Sequence, residues 1–441
     1  MEFFVGTFNL PIIYTLRLDL ERTSLRVVRT SHAVGPHSWL ALSHDRSNLY
    51  ATAWTTPPSV AAYRVDTCAD AINGVAHVDG RSPGVELLNT APVASLSGYV
   101  AVSRTHLYSA GGPSGEVFAL DARTGAIAAP VQTLSFVDDD VTGGPGAPVA
   151  DKHGAFGGLR HGAHSVDLSP DGRLAYVADI GRNCVWSFGV ARGGEAEAGA
   201  SEGALVRRRR HPAPRAGDGP RHAWPHPHGR VVYVVQEHSS VVDAYAVSYE
   251  DVGGRSGGAS GAAVLTWMGG VRIIPAEEDA ARYWADEVRL STAPSGAHAH
   301  AQADGDAAPR WLFASTRGLA RETRGWVAVV ELDAAGGFVG AEARCLYRTR
   351  TSGGIANAIQ PALQGGVGGA GAGVGAGAGA GAGAGTVLGR WVDVLALTDS
   401  EEGWVCVLGW DGEEVREVAA LRLEAEGEGE DVVKAATAVW L

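Results

Sequence analysis

Short apolar segments separated by polar turns recur along most of this chain. The clearest unit is an alternating strand, a polar turn and a second strand with an aromatic residue near its middle. Such segments of about five to seven residues, rich in β-branched and aromatic side chains, predict β-strands, whereas helical periods are scarce. The clearest copies of the unit occupy residues 38–52, 164–178 and 221–235, and weaker copies begin near residues 100, 288 and 357.

Two landmarks in these units keep a constant separation. Ser43 and Ser169 are 126 residues apart, and so are Tyr50 and Tyr176. Tyr176 and Tyr233 are 57 residues apart, which is also the separation of the turn prolines in the same two units. Because a constant offset at two landmarks indicates a true internal repeat, we infer six internal units.

The chain ends can supply a seventh unit. Residues 3–16 contain two strands, and residues 435–440 form a third apolar segment that can complete the same blade. Seven units of four short strands predict an all-β fold, a seven-bladed β-propeller closed by N- and C-terminal strands in one blade. Residues 1–441 then form a single domain. A pair of up-and-down sandwiches is the alternative, but it does not explain the constant offsets.

Two long spacers interrupt the repeats. Residues 193–217 are polar and include four consecutive arginines, Arg207 to Arg210, and residues 365–385 are nearly all Gly and Ala. Because neither segment can bury a core face, both are expected to be flexible insertions into loops between strands.

Composition narrows the choice of partners. The chain has 36 Lys and Arg against 49 Asp and Glu, a net charge of −13, which argues against a nucleic-acid-binding surface. No apolar stretch approaches the roughly 20 residues of a membrane span, and the N-terminus lacks a basic signal region, so we expect a cytoplasmic protein with no membrane contact. The four cysteines form no CxxC pair, and the sequence has no Walker loop, no Rossmann glycine fingerprint after a strand and no HExxH motif, so we expect no metal and no cofactor. A homo-oligomer is compatible with the sequence.

Aligning the units reveals charged residues at inner positions that are normally apolar. The first position begins the innermost strand of a blade, and the second ends the strand that pairs with it, so the two lie side by side in an antiparallel hairpin. We therefore expect four residues from three consecutive blades to open onto one face near the central channel. The first position holds His164 and Arg221, with equivalents Ser38, Val288 and Ile355, and the second holds Glu237 and Arg317, with equivalents Trp54, Gly112 and Ile180.

These four side chains indicate a site for an anionic small molecule. Two arginines in a concave site favour a substrate with carboxylate or phosphate groups. His164 can act as a general acid or base near neutral pH, and Glu237 can orient an arginine or the imidazole. The alternative is that some of them are structural ion pairs between blades, in which Glu237 pairs with Arg221 or Arg317.

A set of short stretches occurs in a fixed order along the chain: Gly6-Thr7-Phe8 with Pro11, Ser38-Trp39, His164 to Pro170, Tyr176 to Asp179, Gly217 to Arg221, Gln236-Glu237, Phe313 to Arg317, Thr351 to Gly354, Asn357-Ala358, Asp399 and Glu402 to Trp404. In these stretches the chain resembles the fungal 3-carboxy-cis,cis-muconate lactonizing enzymes, within the seven-bladed lactonase-type propeller family. The likeness runs nearly the full length and is interrupted by the two spacers. No single motif is specific, but the ordered set is.

The resemblance implies an isomerase that acts without a metal or cofactor. Its substrate would be the polycarboxylate 3-carboxy-cis,cis-muconate, from protocatechuate breakdown, and its product a carboxymuconolactone. The family's site looks like His164 and Glu237 as catalytic residues, with Arg221 and Arg317 as substrate-binding residues. His164 would donate the proton, and Glu237 would orient it or an arginine and help to keep the imidazole protonated.

One departure from the family pattern concerns the substrate. After Ser352-Gly353-Gly354 the family has a histidine and a serine, whereas this chain has Ile355 and Ala356. The loss of an imidazole beside the site affects the identity of the substrate more than the fold. Two other functions stay open: a lactonase of the 6-phosphogluconolactonase-like type that hydrolyses a sugar lactone, and a non-catalytic propeller that binds protein.

Overall fold

A computed structural model describes residues 1–66, 82–136, 162–192, 200–249, 263–292, 299–301, 307–363, 390–424 and 432–441. Within these ranges the chain is built almost entirely of β-strands, with one short 3-10 helix at Ala280–Arg282. None of the helical structure in these ranges is long and apolar enough to cross a membrane.

The strands form seven four-stranded antiparallel sheets, which are the blades, and one two-stranded hairpin. Blades 1 to 3, given from the innermost strand outward, are β30 (Ala435–Trp440), β1 (Glu2–Thr7), β2 (Ile12–Asp19), β3 (Ser24–His32); β4 (Leu40–Leu42), β5 (Asn48–Ala53), β6 (Ser59–Asp66), β7 (Gly84–Pro92); and β8 (Tyr99–Val102), β9 (His106–Ala110), β10 (Ser114–Leu120), β11 (Ile127–Ser135).

Blades 4 to 7 follow the same order. They are β12 (Ala163–Leu168), β13 (Leu174–Asp179), β14 (Cys184–Val190), β15 (Leu205–Pro212); β16 (Pro220–Pro225), β17 (Val231–Gln236), β18 (Val241–Tyr249), β19 (Ala263–Arg272); β20 (Tyr283–Leu290), β23 (Trp311–Gly318), β24 (Trp326–Glu331), β25 (Cys345–Arg348); and β26 (Ile359–Pro361), β27 (Asp393–Thr398), β28 (Trp404–Trp410), β29 (Val415–Arg422). The hairpin of β21 (Ala299–Ala301) and β22 (Ala307–Pro309) lies between β20 and β23 in the chain.

The seven innermost strands form a closed ring. Each contacts the innermost strand of the next blade, in the order β4, β8, β12, β16, β20, β26, β30 and back to β4. Blade 1 combines the two chain ends, because β1 pairs with β30 in antiparallel register, with Phe3 opposite Trp440. The prediction of an all-β, seven-bladed propeller closed by both ends is therefore confirmed.

Burial follows the position of a strand within its blade. Every residue of the second strands β5, β13, β17, β23 and β27 is buried, because these strands are covered on both faces by neighbouring blades. This explains their continuous apolar sequences. The outer strands β3, β7 and β11 carry many exposed residues, as expected for strands at the rim.

The repeated tyrosine has a structural role in joining the blades. In three blades its buried hydroxyl donates to the carbonyl of a glycine in the next blade, and each of these glycines has a positive φ between 75° and 84° that favours glycine. The pairs are Tyr50 with Gly125 at 2.8 Å, Tyr108 with Gly203 at 3.1 Å and Tyr233 with Gly336 at 2.6 Å.

The expectation that residues 193–217 form a flexible insertion is wrong for the arginine run. Arg207 to Arg210 lie in β15, the outer strand of blade 4, where Arg210 is opposite Trp186. An outer strand tolerates this polarity because one face is open to solvent, and the Arg208 guanidinium stacks on Trp186 at 3.9 Å. Residues 193–199 and the whole of 365–385 lie outside the described residues.

Candidate functional site

A cavity lies on the axis of the propeller, because the residues that line it come from six blades and from the segment before the seventh. Its enclosed volume is about 140 Å³, so the cavity is compact. Its lining includes Ala436 from blade 1, Trp39 from blade 2, Tyr99 from blade 3, His164 from blade 4, Arg221 from blade 5, Arg317 from blade 6 and Ile355 from the segment before blade 7.

β-Bulges in three innermost strands place side chains in this cavity. The register shifts by one residue between Ala163 and Ser165 in β12, and the inserted residue is His164. The equivalent shifts in β16 and β20 insert Arg221 and Asp286. A bulge re-aims the extra residue out of the ladder, which explains how an imidazole, a guanidinium and a carboxylate leave apolar strands and face one space.

The sequence repeat assigned the wrong residue in blade 6. Val288 was expected to be equivalent to His164, but it is fully buried in the core between blades 5 and 6. The equivalent bulge position holds Asp286. The predicted position lies two residues beyond the true one. Strand β20 extends to Leu290, so the proline used as the turn landmark lies further from the bulge than in the other blades.

Glu237 connects the two arginines. It directly follows β17, and Arg221 Nη1 donates to its Oε2 at 2.5 Å, while Arg317 Nη2 is 3.9 Å from its Oε1. Burial alone would raise the pKa of Glu237, but Arg221 and Arg317 lower it below its usual value. Glu237 is therefore an ionised carboxylate that holds the two guanidinium groups, as the ion-pair alternative anticipated.

Asp286 is a second carboxylate in the same cluster, and the sequence analysis missed it. Arg317 Nη1 donates to Asp286 Oδ1 at 2.6 Å and also to the Ile355 carbonyl. Arg221 Nη2 is 3.6 Å from the same carboxylate oxygen, and the backbone N–H of Asn357 donates to Asp286 Oδ2 at 3.0 Å. Burial raises the pKa of Asp286, although Arg317 and Arg221 oppose this effect.

His164 lines the cavity and keeps some exposure to solvent. Its pKa is well below the usual value, first because of burial and then because Arg221 and Arg317 repel a second positive charge. The expectation that Glu237 helps to keep the imidazole protonated is wrong, because the described partners of Glu237 are the two arginines and His238. In the free protein His164 is a neutral imidazole at pH 7.

Another part of the cavity wall is apolar or aromatic. Ile355 does line the cavity, as expected, and small side chains flank it at Ala356, Ala358 and Ala436. Phe8, Trp39 and Trp54 line it as well, and the ring centroids of Phe8 and Trp54 are 5.5 Å apart. The site thus combines a charged cluster with surfaces that suit a flat hydrocarbon skeleton.

A second polar cluster lies next to the cavity, and the sequence analysis did not identify it. It contains Tyr99, Asp167, His222, Glu287 and Arg289, which come from four neighbouring blades and can meet only near the axis. Tyr99, His222 and Glu287 line the cavity. The sequence feature that could have revealed this cluster is the presence of charged residues within the short apolar innermost strands β12 and β20.

Three comparisons place these features among known proteins. The family model described as Lactonase, 7-bladed beta-propeller, matches residues 2–256. Muconate cycloisomerase 1 of Cutaneotrichosporon cutaneum is 36% identical over 442 residues, covering 100% of this chain and 98% of that protein. Carboxy-cis,cis-muconate cyclase of Neurospora crassa is 23% identical, covering 97% of each.

A solved structure of similar shape is the periplasmic gluconolactonase of Pseudomonas aeruginosa. It aligns with a TM-score of 0.63 at 17% identity, covering 99% of this chain and 98% of that one. At this identity the likeness concerns the fold alone. Among the described residues, no group of three or more His, Cys, Asp or Glu is arranged to hold a metal ion.

Proposed function

We propose that this chain, which belongs to the lactonase family of seven-bladed β-propellers, is a cycloisomerase that closes a cis,cis-muconate-type dienoate into a lactone. The observation that carries the proposal is the convergence of His164, Arg221 and Arg317 from three consecutive blades on one axial cavity. The names of the two relatives above, a cycloisomerase and a cyclase of muconates, support the same reaction type.

The two arginines bind the carboxylates of the substrate. Guanidinium groups match carboxylate geometry with paired hydrogen bonds, and here Glu237 and Asp286 already fix both of them in position. Because the guanidinium groups are ordered before the substrate arrives, little reorganisation accompanies binding. Glu237 acts in this proposal through the arginines and not through the imidazole.

Ring closure is intramolecular, so holding the reacting ends together provides much of the catalysis. One carboxylate oxygen forms a C–O bond to the nearer end of the opposite double bond. The electron pair of that bond moves to the carbon next to the second carboxylate and spreads onto its oxygens as an enolate. A proton then forms a C–H bond at that carbon, and no oxidation or reduction occurs.

His164 delivers this proton after the substrate has bound. The imidazole is neutral in the free protein because of burial and the two arginines. A bound dicarboxylate offsets the positive charge of Arg221 and Arg317, which raises the pKa of His164 and lets it take up a proton. The imidazolium is then the general acid, and in the reverse reaction the neutral imidazole is the base.

The resemblance names 3-carboxy-cis,cis-muconate as the substrate, with a carboxymuconolactone as the product. The wall around Ile355 favours a second candidate, cis,cis-muconate without the third carboxylate. Ile355, Ala356, Ala358 and Ala436 offer no side-chain donor to another anionic group, and burying an unpaired carboxylate is costly.

The test is an ultraviolet assay of the purified protein with each muconate in the presence of a chelator. The proposal expects loss of the conjugated-diene absorbance and formation of a lactone, with charge neutralisation by arginine and therefore no need for added metal. 6-Phosphogluconolactone is the matched control substrate. Hydrolysis of that lactone without turnover of either muconate would replace the proposal with the lactonase function, and inactivity towards all three would favour a binding scaffold.

A further inference from the structure

We propose that Ser38 is a further substrate-binding residue, whose hydroxyl donates to the attacking carboxylate of the muconate from the side of the cavity opposite Arg221 and Arg317. This inference rests on the proposed cycloisomerase function. It concerns the cavity wall formed by blades 1 to 3, to which neither the two arginines nor His164 belongs.

A bulge precedes β4, the innermost strand of blade 2. The Trp54 N–H donates to the Pro36 carbonyl at 2.9 Å, and the Thr52 N–H donates to the Trp39 carbonyl at 3.2 Å. Three steps along the inner chain therefore face two steps along its partner, so one extra residue is inserted. From Trp39 onward the pairing is regular.

This bulge matches the one that inserts His164 in blade 4. The register shift in β12 places His164 directly before Ser165, where regular pairing resumes, and Ser38 directly precedes Trp39 in the same way. Both inserted residues line the cavity. Because a bulge re-aims the extra side chain out of the ladder, Ser38 presents its side chain to the cavity as His164 does. Ala436 of blade 1 also lines the cavity but carries no donor.

The hydrogen-bond partners of Ser38 show which hydroxyl donates. Ser38 Oγ lies 2.8 Å from Thr52 Oγ1, which also accepts from the Trp39 N–H at 3.0 Å. Thr52 is fully buried, and within the described ranges its hydroxyl hydrogen has no acceptor besides Ser38 Oγ. Since a buried hydroxyl hydrogen needs an acceptor, Thr52 donates and Ser38 accepts.

The hydrogen of Ser38 is therefore available to a ligand. A hydroxyl that accepts from Thr52 directs its own O–H elsewhere, and the part of the chain that the structure describes offers it no other acceptor. The cavity that Ser38 lines is the space left to this O–H. The preceding residue holds the backbone in place, because the His37 ring nitrogens lie 2.5 Å from the Thr52 carbonyl and 2.7 Å from the Tyr63 hydroxyl.

Ser38 lies across the propeller axis from the arginines. In the closed ring of innermost strands, β4 is three strands away from β16 in one direction and from β20 in the other. The proton from His164 goes to the carbon beside the carboxylate that becomes the enolate, on the side of blades 4 to 6. The other end of the substrate, whose carboxylate oxygen attacks, therefore reaches towards blade 2.

A neutral donor suits the attacking carboxylate. The Ser38 hydroxyl orients the oxygen for ring closure and leaves its negative charge in place, whereas a guanidinium offsets much of that charge. As the C–O bond forms, the charge moves to the far end of the substrate, so the hydrogen bond from Ser38 is stronger before the reaction than in its transition state. Loss of the hydroxyl should therefore raise KM and change kcat little.

The test compares Ser38→Ala with Ser187→Ala in the full chain, on the muconate that the wild type converts. We expect KM of Ser38→Ala to rise by about tenfold, with kcat changed by less than about threefold. Ser187→Ala is the control, because it also removes a buried serine hydroxyl, one that binds His211 and the Ala263 carbonyl. This control should leave KM unchanged.

Two inhibitors separate substrate binding from a general distortion of the cavity. Hexanedioate carries a carboxylate at each end, and hexanoate carries one. In Ser38→Ala the inhibition constant of hexanedioate should rise by about tenfold and that of hexanoate by less than about threefold, because only the dicarboxylate can occupy the arginines and Ser38 together.

Thr52→Val tests the direction of the hydrogen bond. The variant removes the donor to Ser38 and leaves the Ser38 hydrogen available, so KM should stay within about threefold of wild type. The melting temperature should fall, because the Trp39 N–H loses its acceptor. If Ser38 instead donated to Thr52, the substitution would free the Ser38 hydrogen and KM would fall.

An unchanged KM in Ser38→Ala, or a lowered KM in Thr52→Val, would overturn the inference while leaving the cycloisomerase intact. Equal rises in the inhibition constants of hexanedioate and hexanoate would also overturn it. If Ser38→Ala does not fold, as judged by its melting temperature, Thr52→Val decides. A wild type inactive on both muconates overturns the proposed function and this inference together.

Discussion

Arg317 donates to the carboxylate of Asp286 across 2.6 Å, from the second strand of blade 6 to the bulge in its first strand. The same carboxylate oxygen lies 3.6 Å from Arg221 of blade 5. The two cations of the cavity therefore share an anion, and with Glu237 they form a compact cluster of two arginines and two acids. This cluster holds the guanidinium groups in place at the side of a cavity that His164 also lines.

Removing the Asp286 carboxylate should destabilise the fold. Asp286→Ala leaves two buried guanidinium groups with Glu237 alone, and the loss of one partner from a buried ion cluster typically costs about 3–5 kcal/mol. Urea unfolding at pH 7 measures the change. The matched control is Glu417→Ala, which removes the partner of Arg350, a half-exposed arginine on the outer strands, and should cost less than about 1 kcal/mol. Equal effects of the two variants would contradict the account.

The two arginines should not be replaceable by lysine. Arg221→Lys and Arg317→Lys keep the charge beside Glu237 and Asp286 but lose the planar fork, so we expect kcat/KM to fall by about 10–100-fold. Steady-state kinetics with the converted muconate measure this loss. Arg310→Lys is the control, because Arg310 precedes Trp311 at the opposite end of β23 and pairs with Glu331. Unchanged kcat/KM in both cavity variants would remove the arginines from substrate binding.

His164→Ala should lower kcat by about 10²–10⁴-fold, the usual size of lost acid–base catalysis. The melting temperature should change little, because His164 faces the cavity and is partly exposed. His44→Ala, on an exposed turn between β4 and β5, is the control. Near-wild-type turnover in His164→Ala would assign the proton to another group.

Substrate binding should take up a proton near pH 7. His164 is neutral in the free protein, since burial, Arg221 and Arg317 lower its pKa, and the bound carboxylates raise that pKa again. Between the two pKa values the complex holds one more proton, so affinity should weaken by up to about tenfold per pH unit as the pH rises.

Calorimetry of substrate or product binding in buffers of different ionisation enthalpy measures this uptake. His222, Asp286 and Glu287 also line the cavity, and burial raises the pKa of Glu287 to about 7. A further acid, Glu237, pairs with the two arginines. The proton uptake of the wild type should therefore be compared with that of His164→Ala. We expect binding to this variant to take up about one proton fewer. Unaltered uptake in that variant would assign the proton to one of the acids.

Ile355→His should shift preference towards the substrate with a third carboxylate. An imidazole at this wall can donate to an anionic group that the apolar side chain leaves unpaired, so the ratio of kcat/KM for 3-carboxy-cis,cis-muconate over cis,cis-muconate should rise by about tenfold. Competition of the two substrates in one assay gives the ratio directly. Ile355→Leu is the control and should leave the ratio unchanged. A ratio that stays constant in Ile355→His would show that this wall does not face the third carboxylate.

The internal repeats allowed the fold and much of the site to be predicted, because each repeat corresponds to one blade of the ring. The tyrosine spacing was informative since Tyr50 and Tyr233 each donate to a glycine of the next blade. His164 and Arg221 could be found because their units keep the same length. Asp286 was missed because β20 runs past the usual turn position, and a bulge changes the register in a way that spacing alone does not show.

Other errors arose where polarity alone was taken as a guide. Arg207 to Arg210 suggested a loop, yet an outer strand of a blade has one open face and accepts such residues. The cluster of Tyr99, Asp167 and His222 was missed because its members lie far apart in the chain and in different blades. Only the closed ring of innermost strands brings them together.

The central claim is that the cavity joins a carboxylate oxygen to a double bond and places a proton on carbon. Nuclear magnetic resonance of the product formed in D2O tests both events in one measurement. The account predicts a lactone with one deuterium on the carbon next to the free carboxylate, at a rate that falls about 10²-fold or more in His164→Ala. A lactone without deuterium at that carbon, or unchanged muconate at high enzyme concentration, would contradict it.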